Sequence, residues 1–278
     1  MKSNPSDSDF FTSGAPLPLE LADAIERARP RLGRLGVPTL FFPTIGSTND
    51  VALSRCERAA GERSEGLVVV ADEQTAGRGR RGHAWFSPAR SGLYVSVVLV
   101  PATARVDPAR ATTLVTLAAG VALAEGIEAA TGLRVDLKWP NDLQVSRRKL
   151  AGILAEAADT VVVGYGINVA ATAFPPELRE RATSLESELG RAVDRHHVLV
   201  ETLAALSNRY EDLLAGRFDV LLDAWRVHAP AASGARVAWK TAAGERSGVT
   251  AGIDDRGALL VRDGERVEHI VSGEITWL

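Results

Sequence analysis

The sequence predicts an α+β fold, a mixed β-sheet with helices packed on one side of it and a small β-barrel behind, on three observations. Short β-branched segments cluster before residue 170 and are separated by long helical patterns, the layout of a sheet that buries its face against helices. After Phe174 the pattern is almost wholly helical. From Ala235 onward it breaks into RVAWK, SGVTAGI, ALLVRDG, VEHIV and EITWL, punctuated by Gly and Asp, and five short strands at that spacing read as a barrel. The 278 residues therefore divide into a mobile tail over 1–18, a main domain over 19–230 and a barrel domain over 231–278. The boundary falls in APAASG, Ala229 to Gly234.

Taken in order, Leu21, Ile25, Ala28 and Leu32 share one side of a helix over Leu19 to Leu35, which Gly36 and Pro38 stop. Thr39 to Pro43 is a short strand, Ser47 an N-cap for a helix over Asn49 to Ala60, and Leu67 to Ala71 a β-branched strand. Gly77 to Pro88 has no apolar period and forms a long exposed loop. Leu93 to Val100 returns to strand, and Pro108 to Thr131 carries the strongest helical period, with Gly132 as terminator. Strands follow around Val135 to Lys138, Leu143 to Val145, Leu150 to Ala155 and Val161 to Val169, then helices over Pro176 to Ser187, Arg195 to Leu214 and Val220 to Val227.

Composition narrows the partners. Net charge is −3 and the pI is about 6.0, which gives no whole-surface attraction to nucleic acid or anionic membrane, so anion binding has to be local. A single cysteine, Cys56, excludes an internal disulfide, and no Cys/His cluster has zinc spacing. The adjacent His196 and His197 point to different faces of a helix. The opening MKSNPSDSDFF lacks the apolar core of a secretory signal, and no apolar run is taken to reach membrane-spanning length. The expectation is a soluble cytoplasmic protein.

Two motif regions carry the chemistry. Lysine occurs only at positions 2, 138, 149 and 240, and two of the four sit in KWPNDL (Lys138 to Leu143) and RKLAGIL (Arg148 to Leu154). GRGRRG, Gly77 to Gly82, satisfies the dinucleotide pattern GxGxxG but fails its context. DEQTA separates it from the preceding strand, and HAWFSP follows where a helix is required. What remains is a loop whose guanidinium forks suit phosphate and carboxylate together; alone it is equally a solvated arginine loop or a nonspecific RNA contact. In KWPNDL the rigid Pro140 aims Asn141 and Asp142, a carboxylate able to hold magnesium beside a lysine able to meet phosphate. A strand-turn-strand connection explains the Pro-Asn-Asp run but not its lysine and tryptophan. Lys149 opens an apolar strand, where a lone lysine usually guards an edge, and GYGIN, Gly164 to Asn168, is weak by itself.

In combination these motifs resemble the biotin protein ligases, which in turn resemble lipoate ligases and class II aminoacyl-tRNA synthetases. STN (Ser47 to Asn49), EQTAGRGRRG (Glu73 to Gly82), WFSP (Trp85 to Pro88), KWPNDL, RKLAGIL and GYGIN run in family order. The resemblance implies a synthetase-like catalytic domain with an SH3-like C-terminal barrel. It also implies ATP-dependent ligation of biotin to one lysine of a biotin carboxyl carrier domain of a carboxylase, through biotinyl-5'-AMP, with ATP and biotin as substrates and Mg2+ as cofactor.

Residue by residue, Ser47, Thr48, Asn49, Gln74, Gly79 and Gly152 match positions around biotin. Lys149 matches the lysine beside the reacting carboxylate, with Arg78 the first choice for offsetting charge between carboxylate and α-phosphate. Arg78, Gly79 and Arg80 match the loop that closes over the ligand, Arg80 on biotin and nucleotide alike and Arg81 on the nucleotide. Trp85 stacks near adenine, Asn141 and Asp142 serve the phosphate end with Asp142 on the metal, and Lys138 and Asn168 lie on the nucleotide side. Gly46 and His83 depart from the family pattern and leave fine ligand contacts open. Only one short helix and a polar tail precede the first strand, so the expectation is a monofunctional ligase without specific DNA binding. The resemblance is compatible with a homodimer. It implies disorder in Gly77 to Trp85 that ligand resolves. A biotin-responsive regulator and a lipoate ligase are the rival readings; GRGRRG together with KWPNDL favours biotin.

Overall fold

The computed structural model describes residues 14–59, 64–157, 160–171, 174–241, 244–273 and 275–278. In chain order the main domain runs α1 (Leu19–Ala28), β1 (Thr39–Phe42), α2 (Thr48–Ala59), β2 (Val68–Ala71), β3 (Gly92–Leu99), α3 (Pro108–Thr131), β4 (Asp136–Lys138), β5 (Asp142–Val145), β6 (Arg148–Ala157), β7 (Val161–Asn168), α4 (Leu185–Leu189), α5 (Arg195–Leu214) and α6 (Phe218–His228). Strands β8 (Ser233–Thr241), β9 (Gly244–Ile253), β10 (Leu259–Asp263), β11 (Arg266–Ile270) and β12 (Ile275–Trp277) complete it.

The seven-stranded sheet has the order β1-β2-β3-β7-β6-β5-β4. Only β1 and β2 pair in parallel, through the crossover α2, and the remaining neighbours are antiparallel. Alternation along the strands sends Val95, Val97, Val163, Tyr165, Ile167, Ala151 and Ile153 to one face, where α3, α5 and α6 cover them in the large core. The opposite face is not bare along its whole width. Helix α2 packs there on β2, β3 and β7 and buries Val51 and Ala52 with Phe42, Val69, Tyr94 and Val98 in a second, smaller core. Helices therefore lie on both faces, in contrast to the one-sided expectation. The part of the second face made by β5, β6 and β7 stays open, and the site forms there.

Helix α3 is capped by Asp107, which accepts from the Arg110 N–H, and ended by Gly132 at φ +78. Its 24 residues are long and apolar enough to cross a membrane, which corrects the sequence reading that no run reaches that length. It is a core helix, with Leu114, Val121, Leu123 and Ile127 at 1% exposure or less.

Three further expectations are revised. Residues 1–13 of the expected tail lie outside the described residues, whereas Ala15 donates its N–H to Phe41 O at 2.8 Å and Leu17 packs on the core. The helix expected over Pro176 to Ser187 begins only at Leu185, capped by Ser184. The preceding segment bonds to the edge of β6 instead, Lys149 N–H donating to Arg181 O at 2.7 Å and Thr183 N–H to Lys149 O at 2.9 Å. Those backbone groups are thereby satisfied without a helix. The helix expected from Leu19 to Leu35 ends at Ala28 and tightens into a 3-10 turn at Arg29–Arg31, where Pro30 removes a donor.

The C-terminal strands form an SH3-like antiparallel domain, hydrogen-bonded in the order β11-β10-β9-β8-β12. It is seated on the main domain: Trp139 Nε1 donates to Gly257 O at 2.9 Å and Arg110 Nε to Asp255 O at 2.8 Å.

Candidate active site

A cleft of about 520 Å³ lies over the open part of the sheet, and every site residue named from the sequence lines it. Its floor is made by glycine. Gly166 on β7 stands opposite Gly152 on β6 and Tyr94 on β3, and Gly164 opposite Leu154 and Ser96. A Cβ on Gly164 would meet Asn49 Oδ1 at 2.1 Å, and one on Gly166 would meet Trp85 Nε1 at 2.2 Å. The glycines of GYGIN are therefore docking points for two side chains, which the sequence alone left ambiguous.

The inner half of the cleft is neutral and buried. Ser47, Thr48 and Asn49, at the start of α2, are 3–4% exposed. Thr48 donates both its N–H and its hydroxyl to Gln74 Oε1, at 2.9 and 3.1 Å, and Gln74 Nε2 donates to Ser87 Oγ at 3.1 Å. The hydroxyl of Ser87 continues to Trp85 O at 3.0 Å. Ser96 Oγ lies 2.5 Å from Asn49 Oδ1 and 2.8 Å from Thr48 Oγ1. Sequence reasoning missed Ser96, although a lone serine within the apolar run YVSVV was a legible signal. It also missed Glu156 and Asp50. Asn49 Nδ2 donates to Glu156 Oε2 at 2.6 Å, and Arg78 Nη2 reaches Glu156 Oε2 at 2.9 Å and Asp50 Oδ1 at 2.7 Å.

The outer half is charged. Residues 78–84 form a small flap closed by a bridge between Arg78 and Ala84, with Gly79 N–H donating to His83 O at 2.7 Å and Trp85 N–H to Gly77 O at 2.8 Å. The flap carries Arg80 down onto Asn141, whose Oδ1 accepts from Arg80 Nη1 at 3.2 Å. Burial and the neighbouring Arg81 lower the Arg80 pKa from its ordinary value against the pull of Asp142, so this cation is short of counter-charge. Arg81, at the tip, is exposed and left-handed at φ +56.

Lys149 reaches the cleft through a β-bulge. Leu143 pairs with Ala151 but Gln144 with Lys149, so the extra residue on β6 turns Lys149 onto the face of Gly152 and Asp142. Its ammonium lies 2.7 Å from Asp142 Oδ1 and 5.3 Å from the centre of the Trp85 ring. Trp85 rests on Gly152 and Gly166, and among the described residues nothing accepts from its buried indole N–H. Asn141 is held by its own donation to Ile153 O at 2.7 Å, and Asn168 by donation to Thr183 O at 3.0 Å. Gly273 and Ile275 of the C-terminal domain also border the cleft, a contribution that the sequence did not signal. Among the described residues no three His, Cys, Asp or Glu side chains cluster to hold a metal.

A buried neutral subsite, joined in one cleft to a cationic subsite under a glycine-arginine flap, suits a ligand with a polar ring at one end and an anion at the other. Comparison with known proteins defines the class. Residues 41–170 match the Biotin/lipoate A/B protein ligase family, and residues 232–276 the Biotin protein ligase C terminal domain. The Bifunctional ligase/repressor BirA of Bacillus subtilis is 35% identical over 249 residues, covering 87% of this chain and 74% of that protein. The Biotin--[acetyl-CoA-carboxylase] ligase of Mycobacterium tuberculosis is 35% identical over 239 residues, 84% of this chain and 86% of that one. The biotin protein ligase from Aquifex aeolicus, solved in complex with biotin and ATP, superposes with a TM-score of 0.74 at 29% identity, over 86% of this chain and 98% of that one. The chain belongs to the biotin protein ligase family.

Proposed function

We propose that this protein joins biotin to a specific lysine of a carboxylase's biotin carboxyl carrier domain in two steps at the one cleft. A biotin carboxylate oxygen attacks the α-phosphorus of ATP, the bond to the bridging oxygen breaks, and pyrophosphate leaves from biotinyl-5'-AMP. The acceptor amine then attacks the acyl carbon, the acyl–oxygen bond breaks, AMP leaves, and the amine gives up a proton as the amide forms. The observation that carries this reading is Lys149, placed where the neutral half of the cleft meets the charged half.

The physical difficulty of the first step is to bring a carboxylate against a phosphate. Lys149 and Arg80 supply positive charge at that point, preorganised in the cleft beneath the flap. The sequence reading gave Arg78 this role; the pairing of Arg78 with Asp50 and Glu156 favours Arg80 for it. Thr48, Asn49 and Gln74 hold the ring of biotin, and Trp85 offers an aromatic face to adenine. Lys138 and Asn168 face the nucleotide. Asp142 is the carboxylate that would hold magnesium together with the substrate phosphates, and the ion would neutralise phosphate charge there. The reaction is placed in the cytoplasm, without sequence-specific DNA as a partner.

Calorimetry with biotin, then with biotin and ATP, is the direct test. Binding of biotin followed by much tighter retention with ATP, with pyrophosphate released only when biotin is present, is the expected result. Equal pyrophosphate release with lipoate in place of biotin overturns the assignment.

A further inference from the structure

The neutral half of the cleft and the flap are one hydrogen-bonded ring. Starting at the first flap arginine, contacts pass from Arg78 to Glu156, from Glu156 to Asn49, from Asn49 to Ser96, and from Ser96 to Thr48. They continue from Thr48 to Gln74, to Ser87, and to the carbonyl of Trp85 where the flap ends. Both ends of the flap are thus rooted in the buried polar residues at the inner end of the cleft. We infer that Glu156 is a positioning residue that couples the ring-binding subsite to the flap, an inference that rests on the biotin ligase reading above.

The chemistry of the junction favours a carboxylate at Glu156 over a neutral acceptor. Its Oε2 accepts from two donors, Asn49 Nδ2 at 2.6 Å and Arg78 Nη2 at 2.9 Å. An amide could place its carbonyl at the Oε2 position, but its NH₂ would then stand where Oε1 lies 3.2 Å from Arg78 Nη2, donor against donor, and the negative charge that holds Arg78 would be lost. Asn49 has little freedom to adjust. It is 4% exposed, its Oδ1 lies against Ser96, and the bare Gly164 backbone is beneath it. Orientation of its amide is therefore set by the acidic partner on one side and the serine hydroxyl on the other. Asp50 adds a second carboxylate to Arg78, whereas the Asn49 side chain bonds to Glu156 and Ser96, so the two acids separate: Asp50 holds the flap alone, and Glu156 holds flap and subsite together.

The test compares Glu156→Gln, Arg78→Gln and the double variant in the full-length protein. Glu156→Gln is expected to weaken biotin about tenfold while the KM for ATP stays within about twofold, and Arg78→Gln to weaken biotin less. In the double variant the second substitution should add less than about twofold, because the two residues act through one contact. Hydrogen exchange of the Gly79 and Trp85 amides in the ligand-free protein should speed up in Glu156→Gln, a readout that needs no biotin. Glu156→Asp, which keeps the charge, should restore part of the biotin affinity and, if the amide variant does not fold, carries the same comparison. Unchanged biotin affinity and unchanged flap exchange in Glu156→Gln, or effects that multiply fully in the double variant, overturn the inference. Parent protein that binds no biotin would instead overturn the functional reading, and the exchange measurement would still decide the coupling.

Discussion

The inner and outer halves of the cleft solve opposite electrostatic problems with neighbouring parts of one sheet. The inner half satisfies its polar groups internally: Thr48, Gln74, Ser87, Asn49 and Ser96 bond to one another, with Glu156 neutralised by Arg78. Such a network is rigid before any ligand arrives, since a buried polar group without a partner is costly. The outer half keeps cations with too little counter-charge. Arg80 is half-buried beside Arg81 with its charge disfavoured, and Lys149 shares the one carboxylate of Asp142. Recognition of a neutral ring calls for completed hydrogen bonds, whereas binding and activating anions calls for charge left unmatched until substrate enters.

The largest expected effect tests that division directly. Lys149→Ala should slow adenylation at saturating biotin and ATP by about 3 kcal/mol, roughly 100-fold, the scale of losing one preorganised donor, with much smaller change in biotin affinity. Pyrophosphate release in single turnover measures it, and an unchanged rate removes Lys149 from the chemistry. Next, Gly164→Ala should drive a methyl into Asn49, costing folding stability about 2 kcal/mol, the usual range for overpacking, and weakening biotin binding, without altering pyrophosphate release once biotin saturates. Calorimetry decides; full affinity would mean that Asn49 does not need its seat on β7. Arg80→Gly should shorten the residence of biotinyl-AMP about tenfold and raise labelling of bystander lysines, with biotin affinity nearly intact. Arg78→Gly should do the reverse, affecting biotin first. Indistinguishable behaviour of the two arginine variants would erase the boundary between the halves.

The smallest effect lies outside the cleft and gives the scale of a carboxylate–imidazole hydrogen bond with no part in the chemistry. Burial alone would raise the Asp254 carboxyl, but the His269 imidazole at 2.8 Å and the N–H groups of Ala258 and Arg256 hold it below its ordinary value. A depressed carboxyl contributes stability that is present above its unfolded pKa and lost as the pH falls through the folded one. His269→Ala should therefore cost less than about 1 kcal/mol at pH above roughly 4, with the gap to the parent closing in stronger acid. Denaturant titrations at pH 3 and pH 6 measure the gap, and an equal loss at both would remove Asp254 as its source. Biotin affinity at pH 6 should not change.

Much of this molecule was legible in one dimension. Period and a terminator located α3, a helical pattern located α5, apolar and β-branched runs located β3, β6 and β7, and the short segments after Ala235 announced the C-terminal domain, because these signals depend on residues close together in the chain. The site residues named from the motifs likewise all line the cleft. Three things were decided only by tertiary structure. Lys149 enters the cleft because of a bulge on β6, and a bulge reflects pairing with another strand. Residues 176–183 carry a helical pattern but form only short turns, with Arg181 and Thr183 bonded to Lys149 of β6, a pairing that a distant stretch of chain supplies. The proposed roles of Arg78 and Arg80 diverge because Glu156 and Asp50, distant in sequence from one another, come together around the first arginine and leave the second with Asp142 as its carboxylate neighbour. Local propensity is written residue by residue, but which charge is neutralised depends on who else arrives at the same place, and only the folded chain determines that.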